Sequence, residues 1–197
     1  MDKHVRHHPG PMRNIWFCLL LVITTRSASA DPHLDVETDP SGWVLDGYSV
    51  HSGYRPEALP NWRFELGTYG VHYPSVLVDL DAANKGWDVR IRRGVALQVA
   101  WYPRERRGGW FLAGSLALNQ ERDTLEASGM YSDRTTFGIM PQAGYQWFPF
   151  ANQSFYIKPW AGLGVLMVKG HDVTIAGQTF DQAAFAPFAT VHVGFEL

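Results

Sequence analysis

The stretch KGWDVRIRRGVALQVAWYP, Lys85 to Pro103, restricts the fold more than any other. Its odd positions are Trp87, Val89, Ile91, Arg93, Val95, Leu97, Val99 and Trp101, all bulky and apolar except Arg93. Its even positions are Asp88, Arg90, Arg92, Gly94, Ala96, Gln98, Ala100 and Tyr102, which are charged, small or polar. Successive side chains of a strand point to opposite sides, so this alternation predicts a strand with two unlike faces. A helix needs apolar residues three and four apart, which this run does not supply. In a soluble sandwich the apolar face is the core. In a membrane barrel the apolar face meets lipid and the polar face lines the interior.

The pattern recurs along the chain. Trp62, Phe64 and Leu66 oppose Arg63, Glu65 and Gly67. Trp110, Leu112, Leu116 and Leu118 oppose Ala113, Ser115, Ala117, Asn119 and Glu121. Phe137, Ile139, Ala143 and Tyr145 oppose Gly138, Gln142 and Gln146, and Phe155, Ile157, Leu163, Val165 and Met167 oppose Lys158, Gly162 and Gly164. The final run sets Val191, Val193, Phe195 and Leu197 against Thr190, His192, Gly194 and Glu196. The second face mixes Gly, Ala and Ser with full charges. A narrow barrel interior has that composition, because small residues prevent overfilling and charges find partners inside. A water-facing sheet surface carries more Lys, Glu and Thr and fewer glycines.

Connections alternate in length. The segments 55–60, 103–108 and 149–153 are short and lie between aromatics, whereas 74–86, 124–133 and 169–179 are long. Tyr54, Trp62, Trp101, Tyr102, Trp110, Trp147, Phe155 and Phe195 are read as an aromatic girdle at the short-turn end. Short periplasmic turns, longer extracellular loops and aromatic girdles are the asymmetry of an outer-membrane barrel. Strands are expected at 47–54, 61–72, 87–102, 109–123, 134–148, 154–168 and 183–197. Such barrels carry an even number, so an antiparallel transmembrane β-barrel of eight strands is expected. The missing strand falls at 33–39 or within 170–180. Residues 39–47 suit a short helix, with Asp39 as cap, Pro40 at the first position and Gly47 at the stop. Pro141, Pro159 and Pro187 fall inside strand-like runs, where each removes a ladder donor and can mark a bulge.

The chain is long enough for about one domain. Residues 1–30 read as a secretory signal, with Arg13 before an apolar core from Ile15 to Ile23 and small residues at Ala28 and Ala30. That core is too short to span a bilayer, which needs about 20 residues. Met12 is an alternative start. Residues 31–46 form an N-terminal segment and 47–197 the barrel. The single cysteine, Cys18, lies in the signal core and follows no lipobox, so disulfide and thiolate chemistry are not expected afterwards. Cleavage after Ala30 takes Lys3, Arg6, Arg13, Arg26 and Asp2, reducing 17 basic and 19 acidic residues to 13 and 18, a net charge of −5. No basic patch suits nucleic acid.

The leader, the girdled strands and the closing strand resemble the small outer-membrane β-barrel proteins of Gram-negative bacteria. GYSVHSGYRP, MPQAGYQWFPF, FYIKPWAGLGV and PFATVHVGFEL are similar to a group of bacterial outer-membrane proteins of about this size. The resemblance covers most of the mature chain. It implies a porin-like fold and the outer membrane, with lipopolysaccharide around the barrel and periplasmic chaperones and the assembly machinery as partners during insertion. It implies no particular activity. Family members end in an aromatic residue, whereas this chain ends in Leu197 with Phe195 two positions before.

Parity assigns a polar interior to His51, Arg63, Glu65, Asp88, Arg90, Arg92, Glu121, Gln142, Gln146, Lys158, His192 and Glu196. Arg63, Glu65, Gln146, Lys158, His192 and Glu196 fall toward the short turns; Asp88, Arg90, Arg92 and Glu121 fall toward the long loops. Paired charges filling the lumen, or a polar path or ligand site, are both consistent with this set. Ser49 and His51 share a face beside Glu65 on the next strand, the residue types of a hydrolase triad. Some small outer-membrane barrels are lipid A deacylases or acyltransferases, and the deacylases resemble His-x-Ser where this chain has Ser-x-His. Asp79, Asp81 and Asn84 offer oxygens of the kind calcium takes, without a Gly-turned loop. No zinc spacing, phosphate loop or nucleotide fingerprint is present, so no cofactor is expected. Three readings follow: a monomeric outer-membrane barrel with a structural or small-ligand role, a lipid-modifying enzyme using Ser49, His51 and Glu65, and a soluble periplasmic β-barrel binding protein.

Overall fold

Alternating strands close into a ring only if the first finds the last, and here they do. The computed structural model describes residues 33–197 apart from 80, 105–107, 151–153, 169 and 171. The expected signal segment, its Cys18 and the alternative start Met12 lie outside the described residues. Eight antiparallel strands form the barrel: β1 (His33–Thr38), β2 (Tyr48–Arg55), β3 (Trp62–His72), β4 (Trp87–Trp101), β5 (Gly109–Leu125), β6 (Met130–Gln146), β7 (Phe155–Val168) and β10 (Phe185–Glu196). Between β7 and β10, β8 (Thr174–Ile175) and β9 (Gln178–Thr179) make a small separate hairpin. The eighth strand is therefore β1, and residues 170–180 contribute only that hairpin. β1 pairs with β10 from Asp35↔Glu196 to Thr38↔Val193 and with β2 from His33↔Arg55 to Glu37↔His51.

Helix α1 (Pro40–Val44) follows β1 as the capping residues predict. Asp39 Oδ1 accepts from the Ser41 N–H at 2.8 Å, Pro40 opens the helix, and the Gly47 N–H returns to the Gly42 carbonyl at 2.8 Å. The loop between β3 and β4 contains α2 (Ser75–Val78) and a 3₁₀ turn at Ala82–Asn84. No helix among the described residues is long and apolar enough to cross a membrane.

The barrel is apolar outside and polar inside. Val50, Leu66, Val95, Leu97, Leu112, Leu116, Leu118, Leu163 and Val191 all point outward and are exposed. A small apolar core lies at the long-loop end, where Val173 and Ile175 of the β7–β10 connection pack on Trp87 and Leu125, with Val78 and Phe180 beside them. Asn84 locks that connection down, donating to the Asp181 carbonyl and accepting from the Asp181 N–H, both at 2.7 Å.

Strict alternation fails in the very stretch that suggested it. Tyr69 faces Gly94 but Val71 faces Ile91, and on the other side Ile91 faces Glu121 while Arg93 faces Gln120. One extra residue is accommodated at Arg92–Arg93, and both arginines are exposed. This β-bulge inverts the parity of β4. Gly94, Gln98 and Ala100 point inward on one side of it, and Trp87, Val89 and Ile91 on the other. A second shift skips Met167 on β7, where Phe137 faces Val168 and Gly138 faces Leu166. The three prolines do not mark bulges. Pro187 stays in register with Leu163, and Pro141 and Pro159 interrupt the β6–β7 ladder without shifting it.

Cysteines placed singly at Arg92 and Arg93 are both expected to react with a water-soluble maleimide in the folded, micelle-bound barrel, while one at Ile91 stays protected. Labelling that strictly alternates through 91, 92 and 93 would remove the bulge.

Candidate functional site

The interior splits into two polar clusters. At the short-turn end the inward faces of β1, β3 and β7 bring five charged side chains together, with His192 of β10 beside them. The Arg63 guanidinium is fully buried and donates to Asp35 (Nε to Oδ2 2.9 Å, Nη2 to Oδ1 2.5 Å), to Glu37 Oε2 at 3.1 Å and to Glu65 Oε2. Lys158 Nζ donates to Glu65 Oε2 at 3.1 Å and also to Glu37 Oε1. The Tyr156 hydroxyl lies 2.7 Å from Glu37 Oε2 and 2.8 Å from Asp35 Oδ1. His192 Nδ1 is 2.7 Å from Glu37 Oε1. Only a planar fork reaches two carboxylates on β1 and a third on its own strand at once, which is why the central cation is arginine.

Space for these side chains comes from glycines on adjacent strands. A Cβ on Gly53 would lie 2.3 Å from Arg63 Nη2, and one on Gly67 would lie 2.0 Å from His51 Nδ1. The mixture of glycine and charge along the polar face is thus one packing solution, in which a long polar side chain lies across a bare backbone.

Beside this cluster Ser49, His51 and Glu65 are brought together as their types suggested. Ser49 Oγ is 2.9 Å from His51 Nε2, and His51 Nδ1 is 2.8 Å from Glu65 Oε1. The second contact lies off the ring N–H direction, so Nδ1 has no hydrogen-bond partner among the described residues. All three residues are buried, and Ser49 Oγ is also approached by the Asp39 N–H at 3.2 Å from the base of α1.

Nearer the long loops, Arg134 joins Glu121 and Asp123. Its Nη2 is 3.1 Å from Glu121 Oε2, its Nε is 3.0 Å from Asp123 Oδ2, and Thr136 donates to Glu121 Oε1 at 2.7 Å. Gln182 of the covering connection reaches Glu121 Oε2 at 3.2 Å.

Eight of the twelve residues assigned to the lumen are buried in it: His51, Arg63, Glu65, Glu121, Gln142, Gln146, Lys158 and His192. Glu196 is half-buried on the inward face in register with Asp35. Asp88, Arg90 and Arg92 are not lumen residues, because the bulge turns their side of β4 outward. Asp88 meets His72 at 2.5 Å, Arg90 meets Asp46 at 2.7 Å, and Arg92 lies 3.8 Å from Asp133, all on the exposed outer rim. A cleft of about 390 Å³ opens there between Leu45, His72, Tyr73 and Trp87. Burial pushes the Tyr73 phenol up to about 12, and the Glu121 carboxylate adds to the shift.

Tyr102 is not a girdle residue. It is fully buried, donates to Gln146 Oε1 at 2.7 Å and lies under the Arg55 guanidinium, 4.6 Å from its ring centre. Tyr54, Trp62, Trp101, Trp110, Trp147 and Phe195 are exposed on the outer face, and Phe155 packs beside Phe195 with ring centres 5.2 Å apart. Asp79, Asp81 and Asn84 are each engaged in hydrogen bonds of their own loop and its neighbour. Asp81 caps the 3₁₀ turn through the Ala83 N–H at 2.9 Å, Asp79 accepts from the Gly86 N–H at 3.3 Å, and Asn84 holds Asp181.

Sequence reading missed Asp35, Glu37, Arg55, Asp123, Arg134 and Tyr156. Parity was the available signal for all of them: Asp35 and Glu37 share one side of 33–38, and Asp123 and Arg134 continue the inward rows of β5 and β6.

These features define the class: a closed, eight-stranded antiparallel barrel with an apolar exterior and a charged, filled interior. No family model matches the chain, and no curated protein matches it. Among solved structures it is similar to the neisserial surface protein A, at 10% identity over 84% of this chain and 94% of that one, with a TM-score of 0.45. That similarity adds nothing to the barrel read directly from strand pairing.

Arg63→Ala leaves three buried carboxylates short of a cation and is expected to cost about 3–5 kcal/mol. The midpoint of the heat-induced gel shift of the folded barrel measures it. Arg63→Lys recovers only part, since one ammonium does not span Asp35 and Glu65.

Proposed function

We propose that this chain is an integral outer-membrane β-barrel with a closed lumen, acting as a structural or ligand-binding element of that membrane rather than as an open pore. The observation that carries the reading is the inverted distribution of polarity. Exposed leucines and valines belt a ring whose interior holds Arg63, Lys158, Glu37 and Glu65 in mutual contact. A soluble barrel places its apolar faces inward, and an apolar belt above aromatics suits lipid. Charges bound to one another obstruct the short-turn end, while the apolar core around Trp87 and Val173 covers the other. An eight-stranded ring is just wide enough for its own side chains.

A test follows from location and from conduction. The mature protein fractionates with outer membranes, leaves them only with detergent and shows a heat-modifiable gel mobility. Reconstituted in planar bilayers it gives no sustained channel current. Extraction by salt or alkaline carbonate alone refutes the membrane reading, and steady conductance refutes the closed lumen.

The spacing of Ser49, His51 and Glu65 favours a second reading, acyl hydrolysis of a membrane lipid. A triad needs an exposed hydroxyl and a carboxylate in line with the imidazole N–H. Ser49 is only 4% exposed, faces inward beneath α1, and the Glu65 contact is off-axis. The geometry therefore supports a scaffold role for the row. Ser49→Ala is expected to leave the lipid A and phospholipid acyl profile of expressing cells identical to wild type and to an empty vector by mass spectrometry. An acyl change seen with wild type and abolished in Ser49→Ala establishes the enzyme instead.

A further inference from the structure

We propose that His51, Glu65 and His192 form a binding site for one first-row divalent metal ion, of the zinc class, that ties β10 to β2 and β3 inside the lumen. The three residues are buried, and one donor atom from each lies within 4.8 Å of the others. The two imidazole rings face each other with centres 5.0 Å apart.

The hydrogen bonding decides which nitrogens are free. Glu37 makes ion pairs with Arg63 and Lys158, so it is an acceptor, and His192 Nδ1 donates to it at 2.7 Å. That leaves the lone pair of His192 on Nε2. His51 Nε2 lies 2.9 Å from Ser49 Oγ, which can accept a hydrogen bond from an Nε2–H and so leave the ring's lone pair on Nδ1. A carboxylate behind one ring and a hydroxyl behind the other are the outer partners that orient metal-binding histidines.

His51 Nδ1 and Glu65 Oε1 then become two electron-rich atoms 2.8 Å apart with no proton aligned between them. Two ligands on one zinc-like ion, with bonds of about 2.1 Å, stand about 3.0–3.4 Å apart. The contact is close to that edge, and the three donor atoms, within 4.8 Å of one another, have to draw together to complete the set. The other Glu65 oxygen, Oε2, is taken by Arg63 and Lys158, so Oε1 is the one available. Gln98 is in register with Glu65, is buried, and its Oε1 has no protein partner among the described residues. It supplies a neutral oxygen at the edge of the site.

Charge points the same way. The contacting carboxylates Asp35, Glu37 and Glu65 outnumber the cations Arg63 and Lys158 by one. A further positive charge balances that excess. Two imidazole nitrogens and one carboxylate favour a transition ion over calcium or magnesium, which take oxygens. Position suggests the consequence: β1 ends at Thr38, whose partner is Val193, and His192 is the next residue along β10. The ion holds the ring together where its shortest strand runs out.

The experiment is calorimetric titration of zinc chloride into tag-free, folded, detergent-solubilised barrel, alongside heat-induced unfolding. Wild type is expected to bind one zinc per barrel in the micromolar range or tighter and to unfold at a higher temperature with zinc. His192→Ala is expected to lose affinity by more than about 100-fold and to lose the thermal response, while His72→Ala, at the outer rim, retains both. Cobalt(II) added to wild type provides a reading that needs no variant, because a nitrogen–oxygen site of low coordination number has visible bands that the aquo ion lacks. Absence of zinc binding by the wild type, equal binding by His192→Ala, or an aquo-like cobalt spectrum overturns the site.

Discussion

The barrel depends on where Arg63 puts its guanidinium. β1 is the shortest strand of the ring, and it carries two acids, Asp35 and Glu37, on the face that turns inward. Without a cation opposite, that face could not enter the lumen, and the strand that joins β2 to β10 would be missing. Arg63 and Lys158, on strands four apart in the ring, supply the charge from opposite walls. A buried ionic cluster of this kind contributes little net stability over an apolar one. Its value lies in register. A slip of β1 by one residue sends Asp35 and Glu37 to the apolar exterior and Leu34 and Val36 into the cluster, so only one pairing is acceptable.

The same economy explains the rest of the interior. Long polar side chains lie across glycines on the neighbouring strand, His51 over Gly67 and Arg63 over Gly53, so a narrow ring accommodates full charges without widening. At the long-loop end the design changes. There the bulge at Arg92–Arg93 rotates β4 so that Trp87 and Ile91 enter the interior, and the β7–β10 connection brings Val173 and Ile175 onto Trp87. The short-turn end is therefore held by the Arg63 and Lys158 ion pairs, and the long-loop end by apolar contact together with the ion pairs of Arg134 to Glu121 and Asp123. The residues displaced outward, Asp88, Arg90 and Arg92, pair with His72, Asp46 and Asp133 on the outer rim. The Ser49–His51–Glu65 row and His192 lie where the charged end gives way to α1, and this is the one place in the interior where a buried imidazole nitrogen has no hydrogen-bond partner among the described residues.

Seven strands, the Asp39-capped helix and the inward placement of His51, Arg63, Glu65, Glu121, Gln142, Gln146, Lys158 and His192 were legible because period-two patterning and capping are local. The errors also have local physical causes. Arg93 was the one charged residue on the apolar side of its strand, and it marked the bulge that a strict alternation ignores. Tyr102 belonged by sequence to an aromatic cluster at a turn, but its parity was that of the polar face. The segment 33–39 could not be told from 170–180 as the eighth strand, because its acids have low strand preference on their own. Its competence arises from cations distant in the chain.

By itself the sequence determined that this chain makes strands with one apolar and one polar, glycine-rich face, joined by short and long connections in turn. That follows from side chains alternating along an extended backbone. Only the tertiary structure decided which strand closes the ring, on which side of a bulge the parity holds, and which polar residues touch. Those outcomes depend on contacts such as Asp35 with Arg63 and Glu37 with Lys158, between side chains far apart in the chain. Their geometry exists only once the barrel has closed.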